Sequence, residues 1–429
     1  MTAILENLAA ARRAGKPAGI TSVCSAHPVV LRAAIRRAAA SKTAVLIEAT
    51  CNQVNHLGGY TGMTPRDFVA FVNGIAAEEG LPGELLIFGG DHLGPNPWRR
   101  EKAEEALTKA AAMVEAYVAS GFRKIHLDAS MGCAGEPAAL DDVTIANRAA
   151  KLAAVAEKAA TDAGLPKPLY ILGTEVPVPG GADHVLDTVA PTQPQAARNT
   201  IDLHREIFAQ HGLSQAFERV IAFVVQPGVE FGSDNVVAYD PQAAEALSAV
   251  LDGEPQLVFE AHSTDYQTEL ALAALVRDGY PILKVGPGLT FAYREALYAL
   301  DMIASEMVGT YGDRPLARTM EKLMLSAPGD WQGHYHGDDI TLRLQRHYSY
   351  SDRIRYYWTR PEALQAVSAL HKALDGKTIP ETLLRQYLGE LPLATVAGED
   401  AEEILIAAVD QVLATYHAAT GEGRHRRQS

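Results

Sequence analysis

Apolar residues along this chain recur in two rhythms that take turns. Short runs rich in β-branched residues read as strands: Gly19–Ala26, Ala44–Thr50, Leu85–Gly90, Lys124–Ala129, Leu169–Thr174, Val220–Gln226, Gln256–Ala261 and Pro281–Val285. Between them lie Ala-rich segments of helical period. In Ala103–Ala119, Leu107, Ala110, Val114 and Tyr117 recur at steps of three and four and share one stripe. Thr64-Pro65-Arg66-Asp67 starts another helix, with a threonine cap, a proline in the first turn and an acid behind it. Eight βα repeats over about 300 residues match a (β/α)8 TIM barrel, whose strands are parallel and buried on both faces. An open doubly wound sheet fits less well. The turn after the first strand reads Ser25-Ala26-His27-Pro28, with no glycine to admit a pyrophosphate.

Past Gly309 the alternation stops. We divide the chain into a barrel over residues 1–309 and an α-helical C-terminal extension over 310–429. No Gly/Ser-rich linker precedes the extension, so it is expected to pack on the barrel. Its Arg353, Arg355, Tyr356, Tyr357 and Trp358 serve packing or a subunit contact, with packing as the default. The Pro/Gly run Val176–Gly181 reads as a long loop after the fifth strand.

Composition narrows the function. Lys and Arg number 38 against 52 Asp and Glu, a net charge of −14. Such a chain lacks the clustered cations that nucleic acid or an anionic membrane demands; only the tail Arg424–Arg427 is locally basic. Cys24, Cys51 and Cys133 form neither a disulfide framework nor a zinc-ribbon spacing, which points to a reducing compartment. No apolar run approaches the roughly 18 residues of a membrane span, and the first residues lack the apolar stretch of a leader. The expectation is a cytoplasmic protein.

Chemistry in such a barrel lies at the carboxyl ends of its strands. Polar residues fall there throughout: His27, Glu48 and Asn52, Asp91 and His92, Asp128, Glu175, Gln226, Glu260 with His262 and Asp265, and Lys284. In Gly89-Gly90-Asp91-His92 a carboxylate and an imidazole stand side by side, a metal ligand next to a proton carrier. His262 repeats the theme. With Glu175 the two histidines make a ligand set for a divalent metal that leaves a position for substrate; zinc comes first, with manganese, nickel or cobalt as alternatives. The glycines after Lys284, beginning at Gly286, offer backbone N–H groups to a phosphate. Lys284 also suggests a rival mechanism through a Schiff base.

Longer blocks carry a resemblance. Ser22–Pro28, Ile47–Thr50 with Asn52–Asn55, Gly58–Pro65, Gly89–Pro95, Lys124–Met131, Gly173–Gly181, Val225–Phe231, Glu260–Gln267 and Tyr350–Trp358 resemble the GatZ/KbaZ family over essentially the whole chain. The resemblance implies a subunit of class II D-tagatose-1,6-bisphosphate aldolase in galactitol and N-acetylgalactosamine catabolism. There it supports the activity and stability of a catalytic partner, GatY or KbaY. Some members are labelled tagatose-6-phosphate kinases, yet this sequence has no Gly-x-x-x-x-Gly-Lys-Ser/Thr loop. Others are similar to ketose 4-epimerases.

A purely supporting subunit has no chemical need for so many acids and imidazoles, and buried charge is costly unless paired. The main reading is therefore an oligomeric aldolase component with its own metal-dependent ketose or ketose-phosphate site. The alternatives are a free-standing 4-epimerase working by retro-aldol and aldol steps, and a scaffold that only binds sugar phosphate. In the working site Asp91 or Asp128 serves as base on one side and Asp265 on the other, with Glu48 as a further catalytic candidate. His92, Glu175 and His262 hold the metal. His27, Asn52, Gln226, Glu260, Lys284 and Gly286 bind substrate. Gln226 stands where distantly similar class II aldolases prompt a search for another histidine.

Overall fold

Each strand of this protein displays two opposite rows of side chains, and the period of two decides which row enters the barrel. The computed structural model describes residues 2–173 and 189–421. Its eight main strands are Ile20–Cys24, Val45–Thr50, Leu86–Leu93, Lys124–Leu127, Leu169–Gly173, Val220–Val224, Val258–Ala261 and Ile282–Val285. All neighbours are parallel, and the first strand pairs with both the second and the eighth, so the sheet closes into a TIM barrel. The third strand continues past its expected end at Gly90 to Leu93. Its register with the fourth slips between Gly90 and Leu93, and His92 adopts a left-handed φ of 49°. Such an irregularity re-aims the side chains that follow.

The outward row, with Val23, Ile47, Phe88, Ile125, Phe259 and Leu283, packs under the surrounding helices. The inward row begins with an apolar tier of Ile20, Leu46, Ile87, Leu169, Val258 and Ile282. Helix Ala3–Arg13 covers this tier with Leu5 and Leu8, plugging the bottom of the barrel. The sequence reading left this helix out, although Leu5, Leu8 and Ala9 have its spacing. Helix Pro65–Glu78 starts as expected, on a Thr64/Asp67 capping box. In Ala103–Ala119 the buried stripe is Ala106, Ala110, Met113, Val114 and Tyr117, while Leu107 is only half-buried.

Beyond Met307 the chain forms helices Pro315–Ser326, Asp339–Tyr348, Pro361–Leu374, Glu381–Tyr387 and Ala401–Thr420. The last of these rejoins the barrel. It packs against helices Pro28–Ser41 and Glu269–Asp278, over the first strand, with Pro287–Met307 alongside. Arg36 reaches Glu403 at 2.5 Å, Arg37 reaches Asp410 at 2.6 Å, and the Tyr416 hydroxyl donates to the Thr264 carbonyl at 2.7 Å. Among the described residues no helix is long and apolar enough to cross a membrane. The loop Val176–Gly181 lies outside the described residues.

Because Leu8 is 2% exposed and seals the apolar tier, Leu8→Ala should destabilise the protein by about 2–4 kcal/mol. Urea unfolding reads this as a lower midpoint; an unchanged midpoint would mean that the plug contributes nothing.

Candidate active site

Two residues along each strand from the apolar tier, the inward row turns ionic. Glu48 follows Leu46, Glu260 follows Val258, Lys284 follows Ile282, and Lys124 opens the fourth strand. The Lys124 ammonium sits 2.6 Å from Glu48 Oε1 and 2.7 Å from Glu260 Oε2, with all three side chains fully buried. Lys284 Nζ lies 2.6 Å from Glu48 Oε2, pairs closely with Asp91 Oδ1, and approaches Glu260 Oε1 at 3.6 Å. Gly89 is needed here, since a Cβ on it would come within 2.5 Å of Glu48 Oε1. Burial pushes the Glu48 carboxyl up, but Lys124 and Lys284 outweigh it and hold Glu48 below the usual carboxylate range. Burial likewise pulls Lys284 down, and Asp91, Cys24, Glu48 and Glu260 overcome it. An amine held so firmly as ammonium is a poor nucleophile, which removes the ground for a Schiff base on Lys284.

One step further up come the imidazoles. His92 Nδ1 contacts Asp128 Oδ2 at 2.8 Å, and His262 Nε2 contacts Glu260 Oε1 at 2.9 Å. His126 Nε2 donates to the Gly173 carbonyl at 3.2 Å, while its Nδ1 accepts the His92 backbone N–H at 3.3 Å. As neutral rings donating to Asp128 and to the Gly173 carbonyl, His92 and His126 turn their other nitrogens toward Asp91. Asp91, His92, His126 and His262 bring one ligand atom each within 4.8 Å of one another.

These residues fit a divalent cation on two counts. With Nε2 on the Gly173 carbonyl and the His92 N–H on Nδ1, a neutral His126 turns a lone pair toward Asp91 Oδ1 at 3.0 Å, a contact that a shared cation reconciles. Burial also lowers the His126 pKa, which disfavours the imidazolium that would otherwise resolve the contact. Furthermore, among the described residues four buried carboxylates, Glu48, Asp91, Asp128 and Glu260, share two buried ammonium groups, Lys124 and Lys284. Such an excess of negative charge calls for a cation or protons.

The cluster opens into a cavity of about 330 Å³. Of the expected residues, His27, Asn52, Asp91, His92, His262, Asp265, Lys284 and Gly286 line it. Glu48 and Glu260 lie beneath the cavity and act on it through the lysines and His262. Asp128 stands behind His92, held by Ser130 Oγ at 2.6 Å. Gln226 turns back to its own loop, where its Oε1 accepts the N–H groups of Gly228 and Val229. Asp265 caps the turn after the eighth strand: its Oδ1 accepts Gly286 N–H at 3.0 Å and Gly288 N–H at 2.7 Å. The amides read from sequence as a phosphate cradle are therefore bonded to a carboxylate. Burial raises that carboxyl to about 6, against the pull of these amides. His27 packs its ring 4.2 Å from that of Tyr293, and burial lowers its pKa to about 4. Glu175 lies outside the described residues.

Sequence reasoning missed Lys124 and His126, which stand four and two residues before Asp128 on one row of the fourth strand. Counting back by twos from that acid would have found both. It also missed the wall contributed by Arg355, Tyr356 and Trp358 of the extension, which has no local signal.

A closed parallel barrel with ionisable side chains gathered at the carboxyl ends of its strands is the architecture of barrel enzymes acting at that mouth. The D-tagatose-1,6-bisphosphate aldolase subunit GatZ/KbaZ-like family matches residues 5–421, and the chain belongs to that family. A protein from Agrobacterium fabrum (strain C58 / ATCC 33970) named D-tagatose 6-phosphate 4-epimerase is 94% identical over 425 residues, covering 99% of this chain and 100% of that one. A crystal structure from Sinorhizobium meliloti 1021, described as a probable tagatose 6 phosphate kinase, matches with a TM-score of 0.85 at 53% identity. It covers 94% of this chain and 100% of that chain.

Removing Lys124 should leave Glu48 and Glu260 to share the one remaining ammonium, Lys284, which is already paired with Asp91. Lys124→Met is expected to cost about 3–5 kcal/mol in urea unfolding. The lowered carboxyls of Glu48 and Glu260 contribute stability that is complete above the ordinary carboxylate pKa of about 4.3 and drains away below it. Wild type should accordingly lose stability as pH falls from about 4.5, and Lys124→Met should lose less over the same interval. Parallel profiles would contradict the pairing.

Proposed function

We propose that this protein is a free-standing ketose-phosphate 4-epimerase that interconverts D-tagatose 6-phosphate and D-fructose 6-phosphate. The observation that carries the reading is the 94% identity, over essentially both full lengths, to a protein named for that activity. It favours the epimerase over the aldolase-supporting subunit that the family resemblance first implies. The kinase description of the Sinorhizobium protein finds no phosphate-transfer loop in this sequence.

The chemistry follows from the substrate. C4 of a 2-ketose is not acidic, so inversion there proceeds through the C3–C4 bond. A base takes the C4 hydroxyl proton, the bond breaks with its electron pair passing to C3, and an aldehyde and an enediolate result. Rotation of the aldehyde and attack by C3 on its other face re-form the bond, and the new C4 alkoxide takes a proton. Asp265, with a pKa near 6 and a place in the cavity wall, suits the proton transfer on one side. Against burial, His92 and Lys284 hold Asp91 well below the usual carboxylate range, which makes it a weak base suited to ligating a cation, and Lys284 keeps it ionised. Asp128, Glu48 and Glu260 are positioning residues, acting through His92, Lys284 and His262. His27 and Asn52 form the wall that orients the sugar.

Asp91, His92, His126 and His262 would hold a divalent metal, zinc first, which when bound stabilises negative charge on the ketose oxygens. Supporting this reading, His92 contacts Asp128 and His262 contacts Glu260, carboxylate partners of the kind usual for histidines around a metal. In this reading the barrel assigned to 1–309 carries the chemistry, and the extension assigned to 310–429 contributes wall residues such as Arg355, Tyr356 and Trp358.

The purified chain alone, incubated with tagatose 6-phosphate, should produce fructose 6-phosphate without a partner protein. His92→Ala should reduce kcat/KM by about 100-fold or more, and both His92→Ala and His126→Ala should lower the metal content measured by elemental analysis. Turnover that appears only after a class II aldolase chain is added would return the supporting-subunit reading; full activity after chelation with no metal bound would remove the metal.

A further inference from the structure

The cavity's upper wall comes from the extension, and one cation in it is uncommitted. Arg355 carries five N–H donors. Nη1 spends its two on the carbonyls of Ser351 and of Asp352, the latter at 3.1 Å, and Nη2 gives one to the Tyr356 hydroxyl at 2.9 Å. The guanidinium also stacks over the Tyr356 ring, 4.5 Å from its centroid. Its Nε–H and second Nη2–H find no partner among the described residues, and no carboxylate there pairs with it. Asp352, the acid closest in sequence, turns its carboxylate to the Thr290 hydroxyl at 2.6 Å instead. Asp352 holds a left-handed φ of 46°, a conformation that a non-glycine residue keeps only where its surroundings enforce it.

The other permanent cation in the cavity wall, Lys284, is already engaged by Glu48 and Asp91. The backbone amides after the eighth strand, where barrels often seat a phosphate, are bonded to Asp265. Among the described residues, Arg355 is then the cation of the cavity wall that keeps N–H groups for an anionic substituent on a ligand. A guanidinium with two unspent N–H groups suits a phosphate, whose oxygens accept more than one such bond.

We infer that Arg355 of the extension is the phosphate receptor of this cavity and the residue that selects phosphorylated over free ketose. The inference rests on the ketose-phosphate reading of the site. The barrel then handles the carbon chemistry, and the extension holds the charged end of the sugar.

The test uses the full-length protein and two probes. Arg355→Gln should raise KM for tagatose 6-phosphate about 10- to 100-fold, with a much smaller fall in kcat, and should reduce the preference for tagatose 6-phosphate over free tagatose by a similar factor. Inorganic phosphate alone should raise the thermal unfolding midpoint of wild type and compete with substrate, and both effects should vanish in Arg355→Gln. Arg355→Lys, which keeps the charge and the stem, should recover part of the phosphate protection and guards against a disturbed loop. If Arg355→Gln keeps the wild-type KM and phosphate protection, the assignment falls and the epimerase reading stands. Arg355-dependent phosphate protection in a protein that turns over no ketose phosphate keeps the receptor and removes that reading.

Discussion

Two lysines and two glutamates, sealed inside a ring of strands, set the terms for the rest of this molecule. Lys124 bridges Glu48 and Glu260, and Lys284 bridges Glu48 and Asp91. Burial removes these groups from the screening of bulk solvent, so each charge depends on its neighbours. The lattice ties together the second, third, fourth, seventh and eighth strands. It lies above an apolar floor closed by the first helix, which keeps solvent from the lower end of the barrel.

What the lattice supports is a surplus. Its carboxylates outnumber its ammonium groups, and the imidazoles above are held by Asp128, Glu260 and a backbone carbonyl in tautomers that leave lone pairs. The buried acids thus do two things: Glu48, Asp91 and Glu260 hold the lysines as cations, and Asp128 and Glu260 orient imidazoles. Glu48 and Glu260 lie one tier below the groups that line the cavity. This accounts for Glu48, a strand-end candidate that lies too deep to touch a sugar.

The extension belongs to the barrel in two places. Its last helix lies in the outer ring beside the first strand, and its Arg355–Trp358 segment overhangs the mouth. A chain that returns this way makes integrity of the wall depend on contacts between residues hundreds of positions apart, such as Arg37 with Asp410. The Asp265 cap adds to this architecture. By taking the amides of Gly286 and Gly288 it fixes the turn into helix Pro287–Met307 and denies them to a ligand.

Local periodicity was enough to locate all eight strands, the capping box at Thr64 and most acids and histidines of the mouth, because strand burial and helix capping act over a few residues. Leu8 and its helix had the right spacing but no neighbouring strand to reveal their purpose. Three things required the closed ring. Lys124 and His126 sit inside an apolar run and look like core until the row they share with Asp128 is seen to face inward. Whether Gly286 meets a phosphate or a carboxylate depends on Asp265, whose side chain reaches it only across the seventh and eighth strands. Arg355 carries no mark of a ligand group in its own sequence. Sequence settles which face of each short element is buried, since that is written in adjacent residues; which charges meet there is decided by closure, since Coulomb forces count distance through space and not along the chain.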